Sequence, residues 1–258
     1  MTTCALPGCE MQFEEKAGKK FCCKAHADRS RNEIYRTPVP PRFEHIADLR
    51  HFSKLSPSGK RAVLLGESPF SVVMFDIEAT HLKPNVGRIL CCSFKPMGGE
   101  PYTFEALSPR FKKADVYDDG VLARAIRDEL ERYDIIVGWN SKKFDIRFIN
   151  ARLLRVGERI KKAQPHVDGM WSWATKSAAW MGLASVQDFI LPDGSFRKTK
   201  IAWPQWMRAL GWDKTLREAA MAEIVDHCEK DVRVLEDVYK IMARSDVVRG
   251  LRVDGGII

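Results

Sequence analysis

The hydrophobic and polar positions in the greater part of the chain predict short strands alternating with helices. Three segments have the pattern of strands, at residues 72–77, 88–94 and 101–104. The fully apolar run at 135–138 predicts a fourth strand, of the kind that parallel sheets bury on both faces. We therefore expect an α/β domain over residues 71–245, followed by a short C-terminal tail at 246–258.

Helical periodicity fills the intervals after the third strand. Leu122, Ile126 and Leu130 recur every four residues behind two aspartates, which favour the start of a helix. Apolar stripes with helical spacing also run through residues 143–156 and 216–243. The last of these segments is long enough to cover one face of the expected sheet.

Residues 37–70 are harder to interpret. A proline-rich stretch opens the segment and is typical of a stiff, extended linker. Apolar residues then recur at helical spacing, but Pro57 and Gly59 interrupt them. We expect either a helix that docks onto the main domain or a partly ordered tether.

Residues 1–36 form a separate, polar segment that contains four of the seven cysteines. A segment so short and polar cannot fold around a core of its own, so a structural metal would be what holds it. The spacing offers two pairs of ligands suited to one tetrahedral Zn²⁺, with Cys23 as a rival for Cys22. The alternative is a disordered tail with unconnected thiols. The expected zinc ligands are Cys4, Cys9, Cys22 and His26.

Length and charge narrow the class of protein. The 258 residues, 45% of them hydrophobic, suffice for one substantial domain and a small appendage. A net charge of +8 favours a polyanionic partner. No apolar run is long enough to span a bilayer, and the N-terminus lacks the layout of a signal peptide. We expect a soluble, intracellular, cytoplasmic protein with no membrane partner.

Two carboxylates at the end of the first strand are the strongest chemical signal. Asp76 and Glu78 are two residues apart, so their side chains project from the same face of a strand. Like charges this close repel each other unless a positive group lies between them. A divalent cation satisfies that requirement most simply.

Two further blocks carry acidic residues next to apolar ones. Asp145 follows the buried strand 135–138 and falls in the first turn of the next helix, where an acid alone would be unremarkable. His227 and Asp231 are four residues apart on a helix and therefore share a face. That face continues through apolar residues, so both side chains point toward the core and need a partner.

Together the three blocks resemble the DEDD family of 3′–5′ exonucleases, most closely the proofreading domains of family B DNA polymerases and their free-standing relatives. The resemblance covers about residues 70–243. It rests on motif order, spacing and strand–helix context. The matching motifs are Asp76-Ile77-Glu78, Gly138-x-Asn140 with Phe144-Asp145 and Arg152, and His227-Cys228-x-x-Asp231.

The resemblance implies a ribonuclease H-like three-layer fold, with a mixed central sheet flanked by helices. It also implies two Mg²⁺ or Mn²⁺ ions, with Asp76 bridging both. Glu78 and Asp231 would complete one site and Asp145 the other. Such an enzyme would hydrolyse a single-stranded nucleic acid from its 3′ end by a two-metal mechanism, with DNA favoured over RNA.

His227 departs from the family pattern, because the family B proofreading domains carry tyrosine there. Histidine can accept a proton near neutral pH, so we expect a general base; the alternative is that it only orients the attacking water. Thr80 and Leu82 would line the pocket for the 3′-terminal nucleotide by analogy, together with Asn140 and Phe144. Ala79 stands where many relatives have threonine.

The segment between the second and third blocks is rich in aromatic and basic residues. Aromatic faces next to cations form platforms for single strands, although tryptophan also fills cores, so we expect only a minority to touch substrate. The basic stretch 197–200 is the better candidate for contact. The tryptophans are Trp171, Trp173, Trp180, Trp203, Trp206 and Trp212.

Two rivals to the exonuclease hypothesis remain open at this point. One is structure-selective endonuclease cleavage on the same fold. The other is a catalytically decayed protein that binds nucleic acid or a partner. The N-terminal module would serve nucleic-acid binding or docking of a protein partner in any of these cases.

Overall fold

The computed structural model describes most of the chain beyond residue 54 and only short pieces before it. The four expected zinc ligands, most of the expected linker and most of the C-terminal tail lie outside the described residues, so those expectations stay predictions. The described residues are 2–3, 12–13, 52, 55–67, 70–111, 118–160, 165–177, 179–194, 196–245 and 247–248.

The chain divides into two compact units, Met1–Val39 and Pro40–Ile258. In the first unit, β1 (Thr2–Thr3) pairs antiparallel with β2 (Gln12–Phe13). All other elements described here belong to the second unit.

The second unit is built on a mixed five-stranded sheet, as the family resemblance implies. Its strands are β3 (Val72–Ala79), β4 (Ile89–Pro96), β5 (Tyr102–Glu105), β6 (Ile135–Gly138) and β7 (His166–Asp168), of which the sequence pattern predicted all but β7. The strand order is β5-β4-β3-β6-β7. The β3–β4 and β4–β5 pairs are antiparallel, whereas β3–β6 and β6–β7 are parallel.

Helices lie on both faces of this sheet. The described helices are α1 (Pro57–Leu64), α2 (Gly120–Leu130), α3 (Asp145–Leu154), α4 (Gly169–Ser177), α5 (Leu183–Ile190), α6 (Pro204–Arg208) and α7 (Lys214–Arg244). None of them combines the length and apolar character of a bilayer-spanning segment.

The central strand β3 separates the hydrophobic core into two clusters. Val73, Phe75 and Ile77 pack with the apolar faces of α2 and α3. Val72 and Met74 point to the opposite face and pack with α1, α5 and the C-terminal half of α7. This alternation follows from the two-residue period of a strand. It also decides which face receives the acidic residues further along β3.

Helix α1 corrects the interpretation of Pro57 as an interruption. Pro57 occupies the first turn of the helix, and Ser56 caps it by accepting a hydrogen bond from the Gly59 N–H at 3.1 Å. Proline suits this position because its missing N–H would have no helical partner there. Val63 and Leu64 are buried, and Tyr239 Oη of α7 donates to the Leu64 carbonyl at 3.0 Å.

A buried ion pair ties α2 and α3 to the loop that follows β3. Arg152 Nη2 lies 2.6 Å from Asp119 Oδ1, and both side chains are almost fully buried. Arg152 Nη1 also donates to the carbonyls of Pro84 and Gly87, each at 3.0 Å. Asp119 in turn accepts from the Ile89 N–H at 2.8 Å. One guanidinium therefore fixes the connection between β3 and β4.

Replacing Arg152 by leucine should lower the free energy of unfolding by about 3–5 kcal/mol, because the substitution leaves a buried Asp119 carboxylate without its partner. Urea denaturation of the purified protein measures this. Arg147→Leu is the matched control, since Arg147 is exposed on the same helix; it should change stability by no more than about 0.5 kcal/mol. Equal effects of the two variants would contradict the role given to Arg152.

Candidate active site

The end of β3 carries the first two acidic residues of the site. Asp76 and Glu78 share the face of Val72 and Met74, which is the face covered by α7. The β3–β4 register shifts between Glu78 and Ala79, which marks a bulge at this point of the sheet. Bulges are frequent beside active sites, where they change the direction of a side chain.

Asp145 reaches the same place from the start of α3. It is buried, and its Oδ1 accepts a hydrogen bond from the Ile77 N–H at 3.0 Å. The contact places the Asp145 carboxylate between the two acidic residues of β3 along the strand. Its electrostatic coupling to both Asp76 and Glu78 agrees with that position.

A tight turn leads from β6 to Asp145. Asn140 has φ of 60°, a left-handed conformation that asparagine tolerates better than most residues. Asp168 of β7 accepts from the backbone N–H groups of Asn140 at 3.0 Å and Lys142 at 2.9 Å. Asp168 therefore has a structural role in this turn. At Gly138 an added Cβ would overlap the Ser141 side chain, so the turn requires glycine at that position.

The third block lies on α7, where His227 and Asp231 are both buried. His227 Nε2 lies 3.4 Å from Glu78 Oε1 and 3.7 Å from Asp231 Oδ2. The other ring nitrogen, Nδ1, is 2.5 Å from the hydroxyl of Thr199. The structure therefore brings together Asp76, Glu78, Asp145, His227 and Asp231, the expected catalytic residues.

Burial favours the neutral, protonated form of these carboxyl groups. The pKa values of Asp76 and Asp145 are raised, chiefly because burial disfavours the charged form. The pKa of Glu78 rises to about 8, through burial first and then the charge of Asp76. Burial and the nearby Lys198 ammonium lower the pKa of His227 to about 4. The imidazole is therefore neutral at pH 7.

One lysine already compensates part of this negative charge. Lys198 Nζ forms an ion pair with Asp231 Oδ2. The second oxygen, Asp231 Oδ1, is buried and has no hydrogen-bond partner among the described residues. An unsatisfied buried carboxylate oxygen is costly and suits a cation as its partner.

The donor set fits a divalent cation. Ligand atoms of Glu78, His227 and Asp231 lie within 4.8 Å of one another. Carboxylate oxygens are the ligands that Mg²⁺ and Mn²⁺ prefer, so Glu78 and Asp231 are the members of this set that suit those ions best. Asp76 and Asp145 lie outside that set of three, although each interacts electrostatically with Glu78.

The expected substrate-binding residues have different surroundings. Thr80 is buried, and its hydroxyl accepts from the Arg88 N–H at 3.1 Å, so it braces the loop after β3. Leu82 is 74% exposed. Phe144 is partly buried and its ring packs against that of Phe148. Asn140 lies in the turn before α3. Their contact with substrate stays a prediction.

Two contacts in the site could not be predicted from the sequence pattern. Trp206 Nε1 donates to Glu78 Oε2 at 2.8 Å, although 128 positions separate the two residues. Lys198 was expected in a loop that touches substrate, yet it reaches Asp231. Nothing in the local spacing indicated either partner. Cys91, Cys92 and Cys228 are buried thiols.

A mixed sheet with carboxylates at the end of its central strand defines the ribonuclease H-like class of α/β domains. The protein belongs to the RNase H superfamily: residues 73–243, more than half of the chain, match that family. Nucleases of this class generally use divalent metals. No curated protein matches the chain.

Solved structures with a similar fold include a family B DNA polymerase from the hyperthermophilic archaeon Pyrobaculum calidifontis. The match has a TM-score of 0.50 and 20% identity, and it covers 72% of this chain but only 27% of the polymerase. A second similar structure is described as the apo form of a nuclease, with a TM-score of 0.44, 15% identity and coverage of 69% and 75% of the two chains.

The raised pKa of Glu78 predicts how stability depends on pH when metal is removed. The folded protein holds this proton more tightly than the unfolded chain, so the contribution is complete below pH 4.5 and is lost as the pH rises toward 8. Between pH 5 and 8, the chelated wild type should lose on the order of 2 kcal/mol more stability than Glu78→Gln. Chemical denaturation in the presence of a chelator measures this.

Glu218→Gln serves as the control for that experiment, because Glu218 is an exposed glutamate of α7. It should keep the pH dependence of the wild type. If Glu78→Gln also keeps it, then Glu78 does not carry the proton that the site geometry assigns to it.

Proposed function

We propose that the protein is a metal-dependent 3′–5′ exonuclease that hydrolyses phosphodiester bonds of single-stranded nucleic acid, with DNA favoured over RNA. The observation that supports this most strongly is the convergence of Asp76, Glu78, Asp145 and Asp231 from three separate elements. The match of their motifs to proofreading exonucleases supports the 3′–5′ direction. The net charge of +8 agrees with a polyanionic substrate.

The four carboxylates would hold two Mg²⁺ or Mn²⁺ ions. When bound, such ions activate a water and stabilise the oxygen that leaves the phosphate. The fold places the carboxyl groups that these cations need close together. The pKa values of Asp76 and Glu78 are raised as a result of this arrangement and of burial. Lys198 is paired with Asp231 and would have to move away from this carboxylate when a metal ion binds there.

His227 would act on the water that attacks the phosphate. With its Nδ1 hydrogen-bonded to Thr199, the ring directs Nε2 toward Glu78 and Asp231. A neutral imidazole with a free lone pair at Nε2 accepts a hydrogen bond, which orients the water and provides a path for its proton. Thr199 fixes the ring for this purpose.

Cleavage of a single-stranded oligonucleotide labelled at its 5′ end tests the proposed function. With Mn²⁺ or Mg²⁺, the wild type should give a ladder that shortens from the 3′ end. Asp231→Asn should slow cleavage by roughly 10²–10³-fold or more, because it removes charge that the reaction needs. Glu218→Gln, which alters an exposed carboxylate of the same helix, should cleave like the wild type.

Two substrates in the same assay distinguish the rival activities. A circular single strand has no 3′ end, so its cleavage would favour endonuclease action over the proposal. Matched DNA and RNA strands report the preferred sugar. Binding without any metal-dependent cleavage would contradict the proposal and favour a catalytically decayed binding protein.

A further inference from the structure

Two stacked indoles extend from the carboxylate cluster to the protein surface. Trp203 immediately precedes α6 and Trp206 lies within it. Their ring centroids are 6.2 Å apart with an interplanar angle of 29°. Trp206 is the inner ring: it packs against the core and donates to Glu78 Oε2 at 2.8 Å. Trp203 is the outer ring and is 54% exposed.

The loop after β3 holds the outer indole from a second side. His81 meets Trp203 edge-on, with ring centroids 6.4 Å apart and an interplanar angle of 76°. The imidazole is itself fixed, because its Nδ1 accepts from the Lys83 N–H at 2.9 Å. Gly87 closes tightly against the same residue, since an added Cβ would lie 2.9 Å from the His81 carbonyl oxygen.

This arrangement is organised in advance of any ligand. Trp206 is anchored to a carboxylate, Trp203 is stacked on it, and a loop pinned by Arg152 supports the histidine edge. A half-exposed indole held from two sides offers a flat apolar surface at little cost in conformational entropy. Planar aromatic ligands stack on such surfaces, and nucleic-acid bases do so without regard to sequence.

We propose that Trp203 stacks with the base of the 3′-terminal nucleotide of a single strand, and that Trp206 is a positioning residue for both Trp203 and Glu78. This proposal rests on the proposed exonuclease function, which places the terminal phosphodiester at the carboxylates. Stacking engages the face of a base and does not read its pairing edge, so the surface tolerates any base.

The test uses a single-stranded DNA oligonucleotide with 2-aminopurine at its 3′ terminus, a fluorescent base that stacking quenches. Ca²⁺ replaces the catalytic cations, so that the strand binds through oxygen ligands without being consumed. Wild-type protein should quench the terminal probe. Trp203→Ala should lose the quenching and bind the strand roughly 5- to 100-fold more weakly, as expected for one lost stacking contact.

Three controls separate stacking from other effects. Trp212→Ala removes an indole that is fully exposed in the same segment, and it should keep the quenching of the wild type. Trp203→Phe retains an aromatic face and should keep part of the quenching, which excludes misfolding as the cause. At protein concentrations that saturate the strand with either protein, a probe placed five nucleotides inside the strand should respond equally in wild type and Trp203→Ala.

The outcomes also separate this proposal from the proposed function. If the wild type degrades strands from the 3′ end while Trp203→Ala quenches the terminal probe like Trp212→Ala, the exonuclease stands and the stacking surface is overturned. If the wild type neither binds nor shortens the strand, the function itself fails, and the stacking proposal fails with it.

Discussion

Mutual repulsion among buried carboxylates is the main electrostatic constraint on the candidate active site. Asp76, Glu78, Asp145 and Asp231 approach one another where β3 ends, and burial raises the pKa of the first three. A fold selected for stability alone would replace such a cluster by apolar side chains. The protein retains it, which is the behaviour expected of a site that binds cations.

The surrounding structure limits the energetic cost of this cluster. The Ile77 N–H donates to Asp145, the Trp206 indole donates to Glu78, and Lys198 pairs with Asp231. Each of these three acidic residues thus has one favourable partner that leaves its other oxygen available. The Arg152–Asp119 ion pair stabilises the adjacent loop from outside the cluster.

Local pattern was sufficient for four of the five strands of the sheet, for the helices α2, α3 and α7, and for the acidic residues, whereas β7 and the short helices α4, α5 and α6 were not predicted. The apolar run at 135–138 coincides with β6, and the two-residue period of β3 placed Asp76 and Glu78 on one face. Asp145 became informative only together with the other two blocks, because helix starts favour aspartate for unrelated reasons.

Long-range partners could not be predicted from the sequence. Trp206 and Glu78 are 128 positions apart in the sequence. Their contact depends on how the five-residue helix that carries Trp206 packs against the domain. The same holds for Lys198, whose basic neighbours suggested contact with substrate rather than with Asp231. The prediction that Pro57 interrupts a helix was wrong, because proline can also occupy the first turn of a helix. The zinc ligands stay predictions.

X-ray diffraction from crystals soaked in Mn²⁺, recorded at the manganese absorption edge, shows whether the four carboxylates bind divalent cations. We expect two anomalous peaks among Asp76, Glu78, Asp145 and Asp231, with Lys198 displaced from Asp231. This binding is what the proposed catalysis requires. Lys198 still paired with Asp231, and no manganese among these carboxylates, would contradict it.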